Sequence, residues 1–315
     1  MKALVFSLPF VFSALMIVAI DHFNYFGISH LVDQSDKERT AFRLHDTLRK
    51  AIEFEQDPAP NVLFGDSLMN ALRSEMVESV TGEKYFNFSF GGGTIPEAMD
   101  AFWFADGHSD LDRVFIGVGF INFSTSQNMN RFPEATAMLD NPLLYLTNRI
   151  VIKSAMYSLW ADITGIDPGV GRPTVSKEKY WKRQIGESTT ALYRRFRYQS
   201  DYIDELRGIA RYCSAKGIEL TFVILPTHTD LQEKLREFDL EATYDQFHQD
   251  IESLGTVIDF NFPDAYTRDA ENFKDPYHVA DPSMVISAIW GDDKPYEFFR
   301  RYEQDAGETR RSDGH

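Results

Sequence analysis

The chain has 315 residues, of which 43% are hydrophobic and 25% are charged, and this composition excludes a disordered protein and allows one large elaborated domain. Its formal net charge of -16 argues against nucleic acid or an anionic membrane surface as the main partner, because such partners bind basic faces. The single cysteine, Cys213, excludes an intrachain disulfide and a cysteine-based metal site.

The amino-terminal segment contains an almost unbroken apolar run from Ala3 to Ile20, preceded by Lys2. As a helix this run is about 27 Å long, close to the roughly 30 Å of a bilayer core. No small-residue cleavage site follows it, so an uncleaved signal anchor over residues 1–27 is favoured over a cleaved signal peptide or a buried core helix. The anchor would span the inner or cytoplasmic membrane once. With Lys2 on the cytoplasmic side, we expect the remaining chain in the periplasm, or secreted if the signal is cleaved.

Residues 28–60 have a polar, helical pattern, interpreted as a stalk that the prolines before Asn61 terminate. Short apolar runs then alternate with longer amphipathic segments, which predicts a three-layer α/β/α domain over 61–302 with a parallel sheet. Residues 124–198 are too long for a strand connection and are interpreted as a helical insertion. Residues 303–315 are predicted to be a disordered tail. The five predicted strands are 61–64, 85–90, 113–118, 219–225 and 256–260.

Ser67 lies in the turn Gly65-Asp66-Ser67-Leu68, directly after the first predicted strand. A serine on a strand-turn-helix junction is a favoured nucleophile, because the turn raises its hydroxyl above the sheet edge. A serine in this position is also a common helix N-cap, and the local sequence alone favours the cap.

Two other predicted strand ends carry residues that such a serine requires. The second strand is followed by a glycine-rich loop, residues 87–94, whose backbone N–H groups can approach a ligand closely. The last strand is followed by Asp275-Pro-Tyr-His278, a spacing that lets the carboxylate orient the imidazole as a general base. Alone, the glycine-rich loop is weak evidence and could be a plain flexible turn, and without Ser67 a surface turn with an incidental aspartate and histidine is the favoured interpretation of Asp275 and His278.

The three blocks, in this order, resemble the GDSL/SGNH hydrolase superfamily. The resemblance implies a flavodoxin-like domain with a five-stranded parallel sheet and a Ser67, His278 and Asp275 triad. It also implies an oxyanion hole formed by the amides of Ser67 and Gly92. The family completes that hole with the asparagine of a Gly-x-Asn block, but here Asn122 follows Gly119 one residue late. The alternatives are a local bulge that restores Asn122 and the loss of this donor.

The stretch from Ser89 to Glu97 resembles membrane-anchored superfamily members associated with cell-envelope polysaccharide modification. This resemblance implies an esterase or O-acyltransferase for acetyl or other acyl esters of an envelope polysaccharide or exopolysaccharide. The partners would be an acylated saccharide or small ester, the membrane, and envelope-polysaccharide assembly proteins. The alternative is a catalytically impaired protein of the same fold that binds polysaccharide or assists assembly, an interpretation that the displaced Asn122 motivates.

His228 follows the fourth predicted strand at the same sheet edge. It is a candidate for binding substrate or helping to hold an oxyanion, or for an alternative base, although a structural loop histidine is the commoner case. The sequence contains no histidine and carboxylate cluster with metal spacing and no nucleotide-binding motif, so no cofactor is predicted.

Overall fold

The computed structural model describes residues 2–28, 31–37, 45–166, 175–291 and 299–303, with side chains described from residue 8 onward. The chain divides into two compact units. The helical unit comprises Met1–Pro58 and Asn130–Thr174, and the sheet unit comprises Ala59–Met129 and Val175–His315. The predicted insertion is therefore divided between the units. Of the predicted tail, residues 304–315 lie outside the described residues.

Helices and strands alternate through the sheet unit. In chain order the elements are α1 (Lys2–Ile20), α2 (Asp46–Gln56), β1 (Asn61–Phe64), α3 (Ser74–Thr81), β2 (Tyr85–Asn87), α4 (Ile95–His108), β3 (Arg113–Gly117), α5 (Phe132–Asp140), α6 (Pro142–Thr147), α7 (Arg149–Thr164), α8 (Lys177–Arg183), α9 (Thr190–Arg194), α10 (Asp201–Lys216), β4 (Glu219–Ile224), α11 (Thr229–Glu237), α12 (Glu241–Glu252), β5 (Thr256–Asp259), α13 (Ala265–Arg268), α14 (Ser283–Trp290) and β6 (Arg300–Tyr302). A π-helix, Gln184–Thr189, joins α8 to α9, and short 3-10 turns span Met69–Ala71, Phe120–Phe123 and Ala270–Asn272.

The sheet has the strand order β2-β1-β3-β4-β5-β6. Strands β1 to β5 are mutually parallel, and β6 pairs antiparallel with β5. Helices cover both faces: Leu63 belongs to a core cluster that includes Val285 of α14, whereas the ring of Phe64 lies 6.0 Å from that of Phe102 on α4. Because both faces are buried, the strands have the continuous apolar pattern that the sequence shows.

The prediction of a five-stranded parallel sheet is wrong, because the described sheet has six strands and is mixed. The sixth strand reads Arg-Arg-Tyr, and Arg300 and Arg301 are exposed. Charged residues are typical of edge strands, where they discourage further pairing. Such a strand has neither the apolar run nor the alternation from which strands are predicted.

The prediction of a membrane anchor, and with it the predicted location at the inner membrane, is also wrong. No helix among the described residues is both long and apolar enough to cross a bilayer. The apolar run does form a helix, α1, but Ile17 and Ile20 at its carboxyl end are buried in the core of the helical unit together with Tyr145 and Val151. Ile17 and Ile20 therefore pack within the helical unit, whereas Leu8, Phe10, Val11, Phe12 and Leu15 of the same helix are exposed.

Candidate active site

Ser67 lies at the carboxyl end of β1, in a turn whose geometry requires glycine. Gly65 has φ of +154°, and a β-carbon there would lie 2.9 Å from Cβ of Met69. The backbone N–H of Leu68 donates to Oδ1 of Asp66 at 2.8 Å, so Asp66 supplies the side-chain acceptor of this turn. Ser67 is thus not the cap that the local sequence favours, and its hydroxyl is available for another contact.

Ser67, His278 and Asp275 form a continuous hydrogen-bonded series. The Nε2 atom of His278 lies 2.8 Å from Oγ of Ser67, and Nδ1 lies 2.9 Å from each carboxylate oxygen of Asp275. An ionised carboxylate only accepts hydrogen bonds, so Nδ1 carries the proton and Nε2 of the neutral ring accepts the serine hydroxyl. The three side chains have the protonation pattern of a nucleophile, a general base and an orienting acid.

A tight loop holds the Asp275 carboxylate in an ionised state. Its Oδ1 accepts the backbone N–H of Tyr277 at 2.9 Å and of His278 at 3.1 Å. Burial acts to raise the pKa of Asp275, but the hydrogen bonds from His278 and these amides outweigh burial and lower it. The backbone N–H of Lys274 donates to the carbonyl oxygen of His278 at 2.7 Å, which closes the loop.

The glycine-rich loop lies directly against the serine turn. The backbone N–H of Phe90 donates to the carbonyl oxygen of Gly65 at 3.1 Å. A β-carbon on Gly93 would lie 2.7 Å from that oxygen, so only glycine allows this approach. Gly92 has φ of +63° and lines the same cavity as Ser67. Among the described residues, no acceptor pairs with the backbone N–H of Ser67 or Gly92, so both donors remain for a ligand oxygen.

A 3-10 turn over Phe120–Phe123 accommodates the extra residue before Asn122. Asn122 lines the cavity, and its Nδ2 donates to Oδ2 of Asp66 at 3.1 Å and to the carbonyl oxygen of Gly93 at 3.3 Å. A β-carbon on Gly119 would lie 3.1 Å from Oδ1 of Asn122, a tight contact that a small shift of the asparagine side chain would have to relieve. The one-residue displacement in sequence therefore does not remove this side chain from the site.

Asp66 has a role that sequence reasoning missed. Burial raises the pKa of its carboxyl, while hydrogen bonds from the Leu68 amide and the Asn122 side chain and the charge of His278 oppose the shift. Asp66 thus connects the serine turn to Asn122. The position of Asp66 beside Ser67 in the motif was the only sequence signal for this role. Its partner Asn122 lies 56 residues away along the chain, so the contact itself could not be predicted.

His228, the predicted substrate-binding residue, is buried and is not part of the cavity lining. Its Nδ1 accepts the backbone N–H of Asp230 at 3.1 Å, which caps α11. Its own backbone N–H donates to the carbonyl oxygen of Pro276 at 2.9 Å. His228 therefore connects the loop after β4 to the loop that carries Asp275 and His278.

The cavity beside Ser67 has a volume of about 200 Å³. Groups near the serine are polar, and much of the remaining lining is aliphatic or aromatic. Sequence reasoning did not single out this apolar part, because its members lie on different elements. They include Phe120, Leu192, Tyr193, Ile224, Leu225, Leu231, Leu235 and Tyr244. Within the described ranges, no group of three or more His, Cys, Asp or Glu residues is arranged to hold a metal ion.

No protein-family model matches the chain, and neither does any curated protein. One similar solved structure comes from Streptococcus pneumonia and is provisionally described as a platelet activating factor. It shares 13% sequence identity, with a TM-score of 0.38, over 78% of this chain and 89% of the other. A similarity of this size supports no conclusion about function.

Proposed function

We propose that this chain is a serine ester hydrolase or O-acyltransferase that acts through an acyl-enzyme on Ser67. The observation that carries the proposal is the unbroken series from Asp275 through His278 to Ser67, with contacts of 2.9 and 2.8 Å. A serine that is merely structural does not require an imidazole whose other nitrogen is bound by a carboxylate.

In the first half-reaction, Nε2 of His278 accepts the hydroxyl proton while Oγ of Ser67 bonds to the ester carbonyl carbon. The carbonyl oxygen becomes an anion in a tetrahedral intermediate. Collapse of the intermediate breaks the bond to the alcohol oxygen, and His278 returns the proton to that oxygen as the alcohol leaves. Asp275 stabilises the imidazolium that exists between these two proton transfers.

The anionic oxygen requires hydrogen-bond donors that are already oriented. The backbone N–H groups of Ser67 and Gly92 and the Nδ2 group of Asn122 are the candidates. The contact from Nδ2 to the Gly93 carbonyl, at 3.3 Å, is the longer of its two hydrogen bonds. We expect Asn122 to exchange this longer bond for the oxyanion and to keep the bond to Asp66.

In the second half-reaction an acceptor attacks the acyl-enzyme, again with His278 as base. Water as acceptor makes the protein a hydrolase, and a hydroxyl of an alcohol or saccharide makes it a transferase. The resemblance of residues 89–97 to polysaccharide-modifying proteins favours a saccharide hydroxyl or an acylated saccharide. Product analysis with and without added glycan distinguishes the two reactions.

The proposal is tested with a p-nitrophenyl ester and a fluorophosphonate probe on the full chain. The wild type should release p-nitrophenol and bind the probe covalently, since Oγ of Ser67 displaces fluoride from phosphorus. Ser67→Ala should lose both activities, whereas Ser79→Ala, at an exposed position on α3, should retain both. The enzyme proposal is rejected if Ser67→Ala keeps both activities, or if the wild type shows neither of them.

A further inference from the structure

We infer that the acyl group is longer than acetyl and lies across the carboxyl ends of β3 and β4 toward β5. This inference rests on the proposed function of Ser67. The cavity begins at Ser67 after β1 and includes Phe120 after β3, Leu225 after β4 and Asn261 after β5. Neighbouring strands lie about 4.8 Å apart, so these three steps cover roughly 14 Å. An acetyl group fills only the start of such a cavity.

The cavity wall along this direction is largely apolar. Leu231 and Leu235 project from α11, one helical turn apart, and both are buried. Leu192 and Tyr193 of α9 line the same cavity. Burial raises the pKa of the Tyr193 hydroxyl, as expected for a phenol in apolar surroundings. A hydrocarbon chain removes this surface from water, whereas a polar group here would lose its hydration.

The polar groups at the far end already bond to one another. Oδ1 of Asn261 accepts the Thr227 backbone N–H at 3.0 Å, the Thr227 hydroxyl at 2.8 Å and the Gln232 amide at 3.2 Å. The side-chain amide of Asn261 donates to the Tyr244 hydroxyl at 3.1 Å, and that hydroxyl donates to the backbone carbonyl oxygen of Asn261 at 3.2 Å. These groups therefore close the cavity without requiring a polar substituent on the ligand.

The same far end limits the length of the chain. Gln232, Leu235, Tyr244 and Asn261 also line a second cavity of about 600 Å³. The remaining lining of that cavity is largely charged and polar and includes Asp259. An apolar chain that passed this partition would meet ionisable groups, so we expect chain length to have an upper limit.

The test compares p-nitrophenyl acetate, butyrate, hexanoate, octanoate and dodecanoate on the full chain. Burial of one methylene is worth about 0.8 kcal/mol, so kcat/KM should rise by about fourfold per methylene from acetate until the cavity is full. It should fall again for dodecanoate. Leu235→Trp should lower the ratio of hexanoate to acetate kcat/KM by about tenfold or more. Leu143→Trp, at an exposed position on α6, is the matched control and should leave the ratio unchanged.

Because Trp at a buried position can impair folding, Leu231→Ala is measured beside it. Leu231 lines this cavity and not the second one, so the variant enlarges the acyl cavity and should shift the preferred ester to a longer chain. If kcat/KM is highest for acetate while turnover still depends on Ser67, the acyl-chain inference is overturned and the proposed function stands. If no ester is turned over in a Ser67-dependent way, both fail. Unchanged chain preference in both Leu235→Trp and Leu231→Ala also overturns the inference.

Discussion

Replacement of Asn122 by alanine tests whether the displaced asparagine completes the oxyanion hole. In the structure its Nδ2 has Asp66 at 3.1 Å and the Gly93 carbonyl at 3.3 Å, both beyond the usual 2.9–3.0 Å or so of an N–H···O bond. An oxyanion is a stronger acceptor than the Gly93 carbonyl and should replace it. Loss of one oxyanion donor costs roughly 10²–10³-fold in kcat, about 3–4 kcal/mol.

The variant also removes a donor from the half-buried Asp66 carboxyl, which we expect to cost about 1–3 kcal/mol of unfolding free energy. Steady-state kinetics with a p-nitrophenyl ester should show a large fall in kcat and little change in KM, because the interaction forms only in the transition state. Urea unfolding of the same preparation measures the stability loss separately. This keeps an effect on chemistry apart from an effect on folding.

Asn122→Ala can lower kcat directly, by removing an oxyanion donor, or indirectly, by disturbing Asp66. A double-mutant cycle separates these two effects. If Asn122 is a direct donor, adding Asn122→Ala to an Asp66→Ala background should still lower kcat by roughly 10²–10³-fold. A residue that acts only by holding Asp66 should contribute nothing further there. If kcat of Asn122→Ala stays within about threefold of wild type, the assignment of Asn122 to the oxyanion hole is refuted.

Three further perturbations test other parts of the site and fold. Asp275→Asn should lower kcat by about 10³–10⁴-fold, since an amide neither fixes the Nδ1 proton nor stabilises the imidazolium; ester hydrolysis with less than about a tenfold loss would contradict this role. Burial raises the pKa of Asp259 from 3.8 to about 6. The neutral carboxyl therefore stabilises the fold at low pH, and up to about 3 kcal/mol of this stability is lost as pH rises from roughly 4 to 6. Urea titrations of Asp259→Asn should show a smaller decline over this window, and parallel curves would disprove the mechanism. Gly93→Ala puts a methyl 2.7 Å from a backbone oxygen in the turn that carries Asp66 and should cost about 1–3 kcal/mol, whereas Gly91→Ala meets nothing within 4 Å; equal unfolding midpoints for the two variants would argue against the tight loop contact.

Several features could be predicted from sequence because they depend on neighbouring residues. Buried parallel strands have continuous apolar runs, so the α/β architecture follows from their alternation with helices. Thr94, a residue type that favours helix N-caps, directly precedes a helical segment and caps α4. Ser67, Asp275 and His278 follow predicted strands, and parallel strands bring their carboxyl ends to one sheet edge.

Features that depend on distant partners were decided by the tertiary structure. The edge strand β6 has a polar sequence and exists through its pairing with β5. The apolar run of α1 gives the same local pattern for a membrane helix and for a packed helix, and only the structure shows that Ile17 and Ile20 at its carboxyl end are buried in the helical unit. His228 lies at the predicted sheet edge, but it forms hydrogen bonds with Asp230 and Pro276 and does not line the cavity.

The serine and the asparagine show the same division. The local sequence favours Ser67 as a helix cap. In the structure the side chain of Asp66 accepts the backbone hydrogen bond of the turn, and His278 contacts the serine hydroxyl. The count of residues after Gly119 indicated a displaced Asn122, yet a 3-10 turn shortens the path and brings its amide to Asp66. Sequence determined which chemical groups follow each strand, because strand ends are local. Distances between those groups were decided only in three dimensions, because loops of equal sequence length reach different positions.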